Sequence, residues 1–402
     1  MFSFWRKKKR IYLDYAAATP LAPEVRVAML PYLETTFGNA SAIHSEGVAA
    51  RRAIEEARAK IATTLGIRPN GVLFTSGGTE SNNLALLGLI KNLHRTQGIP
   101  YDEMEMVTTK IEHPSISELL PILKAAGVKV RTVPVDIHGL IIPEALEAVL
   151  SPKTVLVTFA YANSEVGAVQ MVSKLTRVIK KYQKEQSAKI YIHIDAAQAP
   201  LWLPCALPRL GVDMMSLDVG KCHGPKGVGI LAQHGNVPLL PILYGGGQEQ
   251  GFRPGTENTA SIVGAAVALA RAAKNYEERS VRVKKIRDTF FMLLKEALPT
   301  ALINGPLDEN RLPNNINISL PGHDTEYAAI YLDSKGVAVS TKSACAGAEG
   351  GMSVVVYEMT KDTNRARATL RLSLGEETTL AEMKITLQIL KDFLTRISIL
   401  TK

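Results

Sequence analysis

The strongest constraint on the fold is a regular alternation of strand-like and helix-like segments. Short apolar runs rich in β-branched residues alternate with stretches of helical periodicity, which predicts an α/β fold with a mainly parallel sheet covered by helices. The seven predicted strands are 71–75, 106–109, 129–133, 154–160, 190–194, 213–216 and 227–232. Several of them end in polar or glycine-bearing loops. Ligands of parallel sheets bind at the carboxyl ends of strands, so these loops are the candidate site.

The chain is long enough for more than one domain. Its 402 residues exceed what a single small core needs. We expect helices at 23–33 and 47–65, and one long helix over 262–298. We predict an N-terminal segment 1–20 that packs on the small domain. A large domain 21–265 and a small α+β domain 266–402 complete the division.

Composition and charge exclude several classes of function. No apolar run approaches the roughly 18 residues of a membrane span, and the basic cluster 6–10 follows a short apolar stretch, unlike a secretory signal. The net charge of +9 comes without interleaved basic and aromatic residues, so we expect no direct nucleic-acid binding. The three cysteines form no metal-ligand cluster, which favours free thiols in a reducing cytoplasm.

A glycine-rich stretch follows the first predicted strand of the sheet. In "FTSGGTESNNLAL", two glycines and Thr79 precede a helical pattern. Backbone N–H groups at a helix N-terminus, with Gly78 allowing close approach, form an anion site. A capped helix start with no ligand fits the same stretch equally well.

Four further polar residues follow predicted strands. They are His113, Asn163, Asp195 and Lys221, the last within "DVGKCHGPKGVG". Taken singly, they fit a loop histidine, a helix cap or a basic surface loop. Taken together with the phosphate cradle, they match pyridoxal 5'-phosphate, because an aspartate keeps a pyridine nitrogen protonated and a lysine amine adds to an aldehyde.

The chain resembles the cysteine desulfurases, which are pyridoxal-phosphate enzymes of fold type I in the class V aminotransferase group. The resemblance extends over residues 11–394, and the segment around "SACAG" resembles the iron–sulfur-cluster branch of the family. The matching motifs are "YLDYAAATP", "FGNASAIHSEG", "FTSGGTESNNLA", "EHPSI", "ANSEVGAVQ", "HIDAAQA", "GPKGVG", "GGGQEQGFRPGTEN", "SACAG" and "LRLSLG".

The resemblance implies roles around the cofactor ring. Lys221 would hold the cofactor covalently, and Asp195 would pair with the pyridine nitrogen. His113 would stack on the ring and take part in catalysis. Gln198 would contact the phenolic oxygen.

The resemblance also implies phosphate and substrate contacts. Gly78 and Thr79 would hold the phosphate together with Thr256 from a neighbouring subunit, so a homodimer is expected. Asn163 and Arg371 would bind the substrate carboxylate, which a guanidinium fork matches in shape.

A cysteine near the C-terminus would carry the sulfur. The resemblance makes Cys345 the nucleophile that receives sulfur from L-cysteine as a persulfide, within a mobile loop of about 340–356. Lys342 would help to stabilise its thiolate. The other two cysteines, Cys205 and Cys222, are interpreted as structural.

The sequence departs from the family pattern just before the lysine. Asp218 and Gly220 occupy positions where the family has a serine and a histidine. A carboxylate at position 218 would repel a phosphate unless it is paired or turned away. Lys226 and Lys342 are candidate compensating cations, and we favour a rearranged phosphate site, with Asp218 as part of it and with activity retained.

The resemblance predicts an enzyme that converts cysteine to alanine. Its sulfur would pass to an iron–sulfur scaffold protein or to another acceptor, such as a transfer-RNA thiolation pathway. Two alternatives remain open: a related lyase or aminotransferase, for example one acting on selenocysteine, and a non-catalytic scaffold for sulfur-transfer partners.

Overall fold

A computed structural model describes residues 10–341 and 351–400 of the chain. All seven predicted strands of the sheet are present, with bounds shifted by no more than two residues. The strands are β1 Ile11–Tyr12, β2 Val72–Thr75, β3 Glu105–Thr109, β4 Lys129–Val133, β5 Thr154–Ala160, β6 Tyr191–Asp195, β7 Met214–Asp218, β8 Gly229–Gln233, β9 Leu302–Ile303, β10 Asn315–Ser319, β11 Val337–Ala338 and β12 Thr369–Ser373.

The central sheet has seven strands in the order β2-β8-β7-β6-β5-β3-β4. Strand β8 runs antiparallel to both of its neighbours, and the other pairs are parallel. Because β8 is the one reversed strand, the carboxyl ends of β2, β7, β6, β5 and β3 meet at one edge of the sheet. The predicted α/β class and mainly parallel seven-stranded sheet are confirmed.

Helices cover both faces of this sheet. Their bounds are α1 Pro23–Glu34, α2 Ser45–Leu65, α3 Gly78–Gln97, α4 Pro114–Ser117, α5 Leu120–Ala125, α6 Pro143–Val149, α7 Val172–Gln186, α8 Leu207–Leu210, α9 Thr259–Ala273, α10 Tyr276–Ala297, α11 Thr325–Ser334, α12 Val354–Thr360, α13 Thr363–Arg367 and α14 Leu380–Leu400. Successive residues of a strand point to opposite faces. Met214 and Met215 accordingly enter two different apolar clusters, of which the first includes α3 and the second α2 and α9.

The predicted long helix over 262–298 is wrong, because the chain breaks between α9 and α10. Asn275 has a φ of 56°, in the left-handed region that asparagine tolerates better than most residues. Helix α9 packs on α1 and α2, whereas α10 packs on α14. One straight helix could not pack against both sets of helices. The break at Asn275 lets α9 and α10 run in different directions.

A smaller sheet and a strand pair lie in the C-terminal part of the chain. The sheet has the order β12-β10-β9 and is antiparallel. Strand β1 pairs in parallel with β11, which attaches the described start of the chain to this part. The domain division at 1–20, 21–265 and 266–402 stays a prediction. Among the residues described, we find no helix with the length and apolar character needed to cross a membrane.

Candidate active site

The shared edge of the central sheet carries five of the predicted site residues. Gly78 follows β2, Lys221 follows β7, and Asp195 ends β6. Asn163 and His113 follow β5 and β3. Parallel strand direction, and not nearness in sequence, therefore gathers these side chains.

Lys221 lies at the end of a single turn of 3₁₀ helix, residues Val219–Lys221. Its partly buried amine donates to the Ala17 carbonyl and forms no ion pair with Asp218 among the contacts of the described residues. Asp218 instead caps this turn, with Oδ1 accepting from the Gly220 N–H at 2.9 Å. The amine is therefore held at the site by a neutral acceptor.

Asp195 is buried and accepts hydrogen bonds on both carboxylate oxygens. Oδ1 accepts from the Ala197 N–H at 2.9 Å, and Oδ2 accepts from Asn82 Nδ2 at 2.8 Å. Asn82 lies on the first turns of α3, and sequence reasoning missed it. Its only signal was a polar pair, "NN", inside an otherwise apolar helix face.

His113 precedes α4 and caps it. Its Nδ1 accepts from the Ser115 N–H at 3.1 Å and lies 2.8 Å from Ser115 Oγ. Burial lowers the pKa of His113, with the nearby Lys221 acting in the same direction and Asp195 opposing it. The ring is therefore neutral near pH 7 and close to both groups.

The start of α3 lies against the Asp218 side chain. A methyl group added at Gly78 would lie 3.4 Å from Asp218 Cβ and 3.9 Å from Ala197 Cβ. Thr79, next in the helix, is exposed. The missing side chain at Gly78 leaves a cradle beside free helix N–H groups, as phosphate binding requires.

Burial raises the pKa of Asp218, and the charge of Lys221 partly offsets this effect. A carboxyl that keeps its proton can donate to a phosphate oxygen instead of repelling it. Lys226, predicted as a compensating cation, donates to the Thr19 carbonyl at 3.4 Å. The other candidate, Lys342, lies outside the described residues.

The two predicted amide contacts are engaged with backbone groups. Asn163 donates to the Ile111 carbonyl at 3.0 Å, and its oxygen accepts from the N–H groups of Glu165 and Val166. Gln198 donates to the Ala16 carbonyl at 2.9 Å. Both side chains are fixed at the site edge, and their predicted ligand contacts stay predictions.

Arg371, on β12, brings the smaller sheet into the site. Its guanidinium donates to Asp14 Oδ1 at 2.8 Å and to the Ser164 carbonyl at 3.1 Å. Its Nε is buried and lacks a protein partner. A buried N–H without an acceptor is costly, so this atom fits an incoming carboxylate.

Residues 14–19 cross the site and were missed as site residues. Carbonyls of this segment accept from Lys221, Gln198 and Lys226. Their side chains are mostly small, so they carry little chemical signal. The match of "YLDYAAATP" to the family motif was the sign that this segment has a role.

Two buried polar residues were missed beneath the site. Burial raises the pKa of Glu112 to about 8, and its Oε2 has no partner. His193 bridges Thr158 and Ser216 at 2.7 and 2.9 Å, and burial lowers its pKa to about 3. This neutral bridge ties β5, β6 and β7 together two residues before Asp195.

The remaining predicted residues lie apart from this cluster or outside the described part. Thr256 is exposed on the connection between β8 and α9. Burial raises the pKa of Cys205 to about 12 and also raises that of Cys222, so both thiols are poor nucleophiles. Cys345 lies outside the described residues.

The residues present fit pyridoxal phosphate. They supply an amine at Lys221, a buried carboxylate at Asp195, a neutral imidazole at His113 and an open helix N-terminus at Gly78. Asn82 contacts both Asp195 and Ser115, the hydrogen-bond partner of His113, and Asp218 lies against Gly78, so these groups share one region of the sheet edge.

Comparisons with known proteins agree with this site. The family model for Aminotransferase class-V matches residues 11–385. A Cysteine desulfurase IscS of Dictyoglomus turgidum is 38% identical over 96% of this chain and 94% of its own. A solved NifS-like protein superposes with a TM-score of 0.88 at 34% identity, over 96% of this chain and 99% of its own. A solved structure of SspA in complex with cysteine superposes with a TM-score of 0.76 at 30% sequence identity. The match covers 92% of this chain and 100% of that chain.

The fold and the strand-end site thus define a pyridoxal-phosphate-dependent enzyme of fold type I. Within that class, the chain belongs to the class V aminotransferase family. The predicted resemblance to the cysteine desulfurases is confirmed.

Proposed function

We propose that the chain is an L-cysteine desulfurase that releases alanine and transfers the substrate sulfur to Cys345. One observation carries this proposal: Lys221, Asp195 and His113 lie at the carboxyl ends of strands that meet at one edge of the central sheet. The relatives named cysteine desulfurase support the choice of reaction. So does the structural neighbour in complex with cysteine.

Substrate binding is assigned to Arg371. Its unpartnered Nε would donate to the substrate carboxylate, while Asp14 and the Ser164 carbonyl hold the guanidinium in place. Asn163 would add its second amide hydrogen. These contacts would leave the substrate amino group and side chain directed toward Lys221.

Each protein group then has one task. Bound pyridoxal phosphate supplies an electron sink for the substrate Cα. Asp195 orients and charges the ring nitrogen, and Lys221 anchors the cofactor and accepts the Cα proton. His113 holds a proton at Nε2. The Cys345 thiolate forms an S–S bond to the substrate sulfur as the C–S bond breaks; the electron pair stays with the substrate, which leaves as alanine after protonation.

The described residues that flank Cys345 are attached at the site. Ser340 exchanges two backbone hydrogen bonds with Arg371, at 2.7 and 3.1 Å. Ser353 donates its hydroxyl to the buried Glu165. These two attachments support a role for the intervening chain beside the substrate.

A homodimer would complete the phosphate site through Thr256. Apolar side chains are exposed at Phe37, Ile43 and Tyr244, by 75, 94 and 71%. Residues 40–41, 247–250 and Glu257, which are close to these side chains and to Thr256 in sequence, help to line a cavity of about 600 Å³. A second copy of the chain would bury these side chains and bring Thr256 to the partner's Gly78.

The sulfur acceptor is proposed to be an iron–sulfur scaffold protein or another thiol-bearing acceptor. A persulfide survives and reacts productively only where disulfides do not trap it, so a reducing cytoplasm suits the reaction. The surroundings of Cys345 in sequence, small and polar, suit delivery to another protein.

Two variants test the proposed function. Lys221→Ala should abolish the visible absorbance of bound cofactor together with alanine formation from L-cysteine. Cys345→Ser should keep the absorbance and lose sulfide release in the presence of a thiol reductant. Cys205→Ser is the matched control and should retain both. Sulfide release at the normal rate in Cys345→Ser would refute the assigned role, and a chain that binds no pyridoxal phosphate at all would instead favour a scaffold.

A further inference from the structure

A continuous network of hydrogen bonds joins Asp195 to His113, the two residues expected to contact the cofactor ring. Asn82 Nδ2 lies 2.8 Å from Asp195 Oδ2 and 2.8 Å from Ser115 Oγ. Ser115 Oγ lies 2.8 Å from His113 Nδ1. Three elements distant in sequence, α3, β6 and the start of α4, contribute to it.

The donor and the acceptor of every hydrogen bond in this network can be assigned. A backbone N–H can only donate, so the Ser115 N–H forces His113 Nδ1 to act as an acceptor. The amide nitrogen of Asn82 likewise only donates, and it reaches both Asp195 and Ser115 Oγ. Ser115 Oγ therefore accepts from Asn82 and donates its own proton to Nδ1.

We propose that Asn82 and Ser115 are positioning residues that link the Asp195 carboxylate to His113 and fix His113 as the tautomer protonated at Nε2. Asn82 acts through Asp195 and Ser115, and Ser115 acts through His113. The inference deepens the proposed function and rests on it for the part that His113 plays in the reaction.

Burial explains why the loss of one partner in this hydrogen-bond network should affect His113. Asn82 is 1% exposed and Ser115 8% exposed, so water does not replace a lost partner. The amide oxygen of Asn82 has no partner in the described structure, so Asn82 is held there through its nitrogen alone. A neutral imidazole with an occupied Nδ1 can exchange a proton with a ligand only through Nε2.

Charged groups near His113 do not disturb this assignment. Asp195 and Asp218 act to raise the pKa of His113 and Lys221 acts to lower it, so their effects oppose one another. None of them donates to or accepts from Nδ1 in the described structure, where Ser115 takes that position. The tautomer is thus a property of Ser115 geometry and not of net charge.

The test is solid-state NMR of the holoenzyme labelled with ¹⁵N-histidine. His113→Gln identifies the His113 signals among the eight histidines of the chain. In the unmodified enzyme, Nδ1 should carry no proton and Nε2 should carry one. Ser115→Ala should raise the His113 pKa by on the order of half to one unit, because the neutral ring loses a donor, and Ser115→Thr should restore it.

Matched controls and a double substitution separate positioning from general damage. Ser117→Ala on α4 and Asn92→Ala on α3 should leave the His113 signals unchanged. Asn92 is also a buried asparagine of α3, but its amide donates to the Leu239 carbonyl at 3.5 Å and, in the described part of the chain, contacts neither Asp195 nor Ser115. Asn82→Leu should shift the His113 pKa by a few tenths of a unit, and its effect should be smaller in the Ser115→Ala background.

A proton on Nδ1 in the unmodified enzyme would overturn the proposal. So would a Ser115→Ala spectrum identical to that of Ser117→Ala, or strictly additive effects of Asn82→Leu and Ser115→Ala. These readouts do not depend on turnover. An enzyme with the expected tautomer but no alanine formation would refute the proposed function and leave this inference standing.

Discussion

Asp195 and Asp218 lie at the ends of neighbouring strands but differ in their hydrogen-bond partners. Asp195 accepts from protein donors on both oxygens, one of them an amide side chain placed there by α3. Asp218 accepts one hydrogen bond, on Oδ1, and its Oδ2 lies near Gly78, where a phosphate is expected. Asp195 marks the ring-nitrogen end of the site, where protein donors hold the carboxylate in place. Asp218 marks the phosphate end, where burial raises its pKa and so favours the neutral form.

The largest effect should come from the ring-nitrogen end. Asp195→Asn removes the charge that Asn82 and the Ala197 N–H hold in place. We expect kcat/KM for L-cysteine to fall by on the order of 10²- to 10³-fold, as for other preorganised electrostatic groups. Steady-state kinetics at saturating cofactor would measure this loss.

Asp308→Asn is the matched control for that substitution. Asp308 also accepts a backbone N–H two residues along the chain, from Asn310 at 2.9 Å, but it is exposed and remote from Lys221. Its kinetics should be unchanged. Equal losses in the two variants would show that Asp195 acts through folding and not on the ring nitrogen.

The phosphate end should show a smaller effect that depends on pH. The pKa of Asp218 is raised by burial, so the carboxyl is neutral below that pKa and charged above it. Affinity for pyridoxal phosphate should therefore fall as the pH rises through the pKa of Asp218. Asp218→Ser should lack this fall and bind about tenfold more tightly at pH 9, which corresponds to about one pKa unit of lost repulsion.

Absorbance titration with pyridoxal phosphate at pH 6 to 9 measures this difference. Both proteins contain Lys221, so the ratio of their dissociation constants isolates Asp218. Asp218→Asn should behave as Asp218→Ser does. A ratio of one at every pH would mean that Asp218 is turned away from the phosphate.

The smallest effect should appear in stability, at Glu112 beneath the ring-nitrogen end. The folded protein keeps a proton on this carboxyl up to a pKa of about 8, whereas the unfolded chain loses it near 4.5. The free energy of unfolding should therefore fall between these values as the pH rises and level off above pH 8. Glu112→Gln should remove this decline and add ~1–3 kcal/mol at pH 8.5.

Urea unfolding at pH 5 and pH 8.5 would measure that difference, with the exposed Glu118→Gln as control. A Gln variant that loses stability relative to the unmodified protein at pH 8.5 would show that the Glu112 carboxylate is needed in its charged form.

The sequence predicted the sheet well and the site only in part. Seven apolar runs were enough to place β2 to β8, because strand periodicity is a local property. The break at Asn275 escaped notice because it depends on which helices α9 and α10 must reach. Asn82 and Ser115 were missed for a related reason: their partners come from elements far away in the chain.

The environment of Asp218 also could not be predicted from the sequence. From the sequence, a carboxylate beside a phosphate indicated repulsion that needed a cation. The structure supplies burial and a backbone N–H instead. Of the two candidate cations, Lys226 donates to the Thr19 carbonyl, and Lys342 lies outside the described residues. The protonation state of the Asp218 carboxyl depends on its burial and its hydrogen-bond partners, which the spacing of residues in the sequence does not reveal.

The central claim is that Lys221 holds the cofactor, and covalent trapping tests it most directly. The protein is incubated with pyridoxal phosphate, reduced with borohydride, digested and analysed by peptide mass spectrometry. We predict one dominant pyridoxyl adduct, on Lys221 and absent from Lys221→Ala. An adduct mainly on Lys226, or none above the level of surface lysines, would contradict the account.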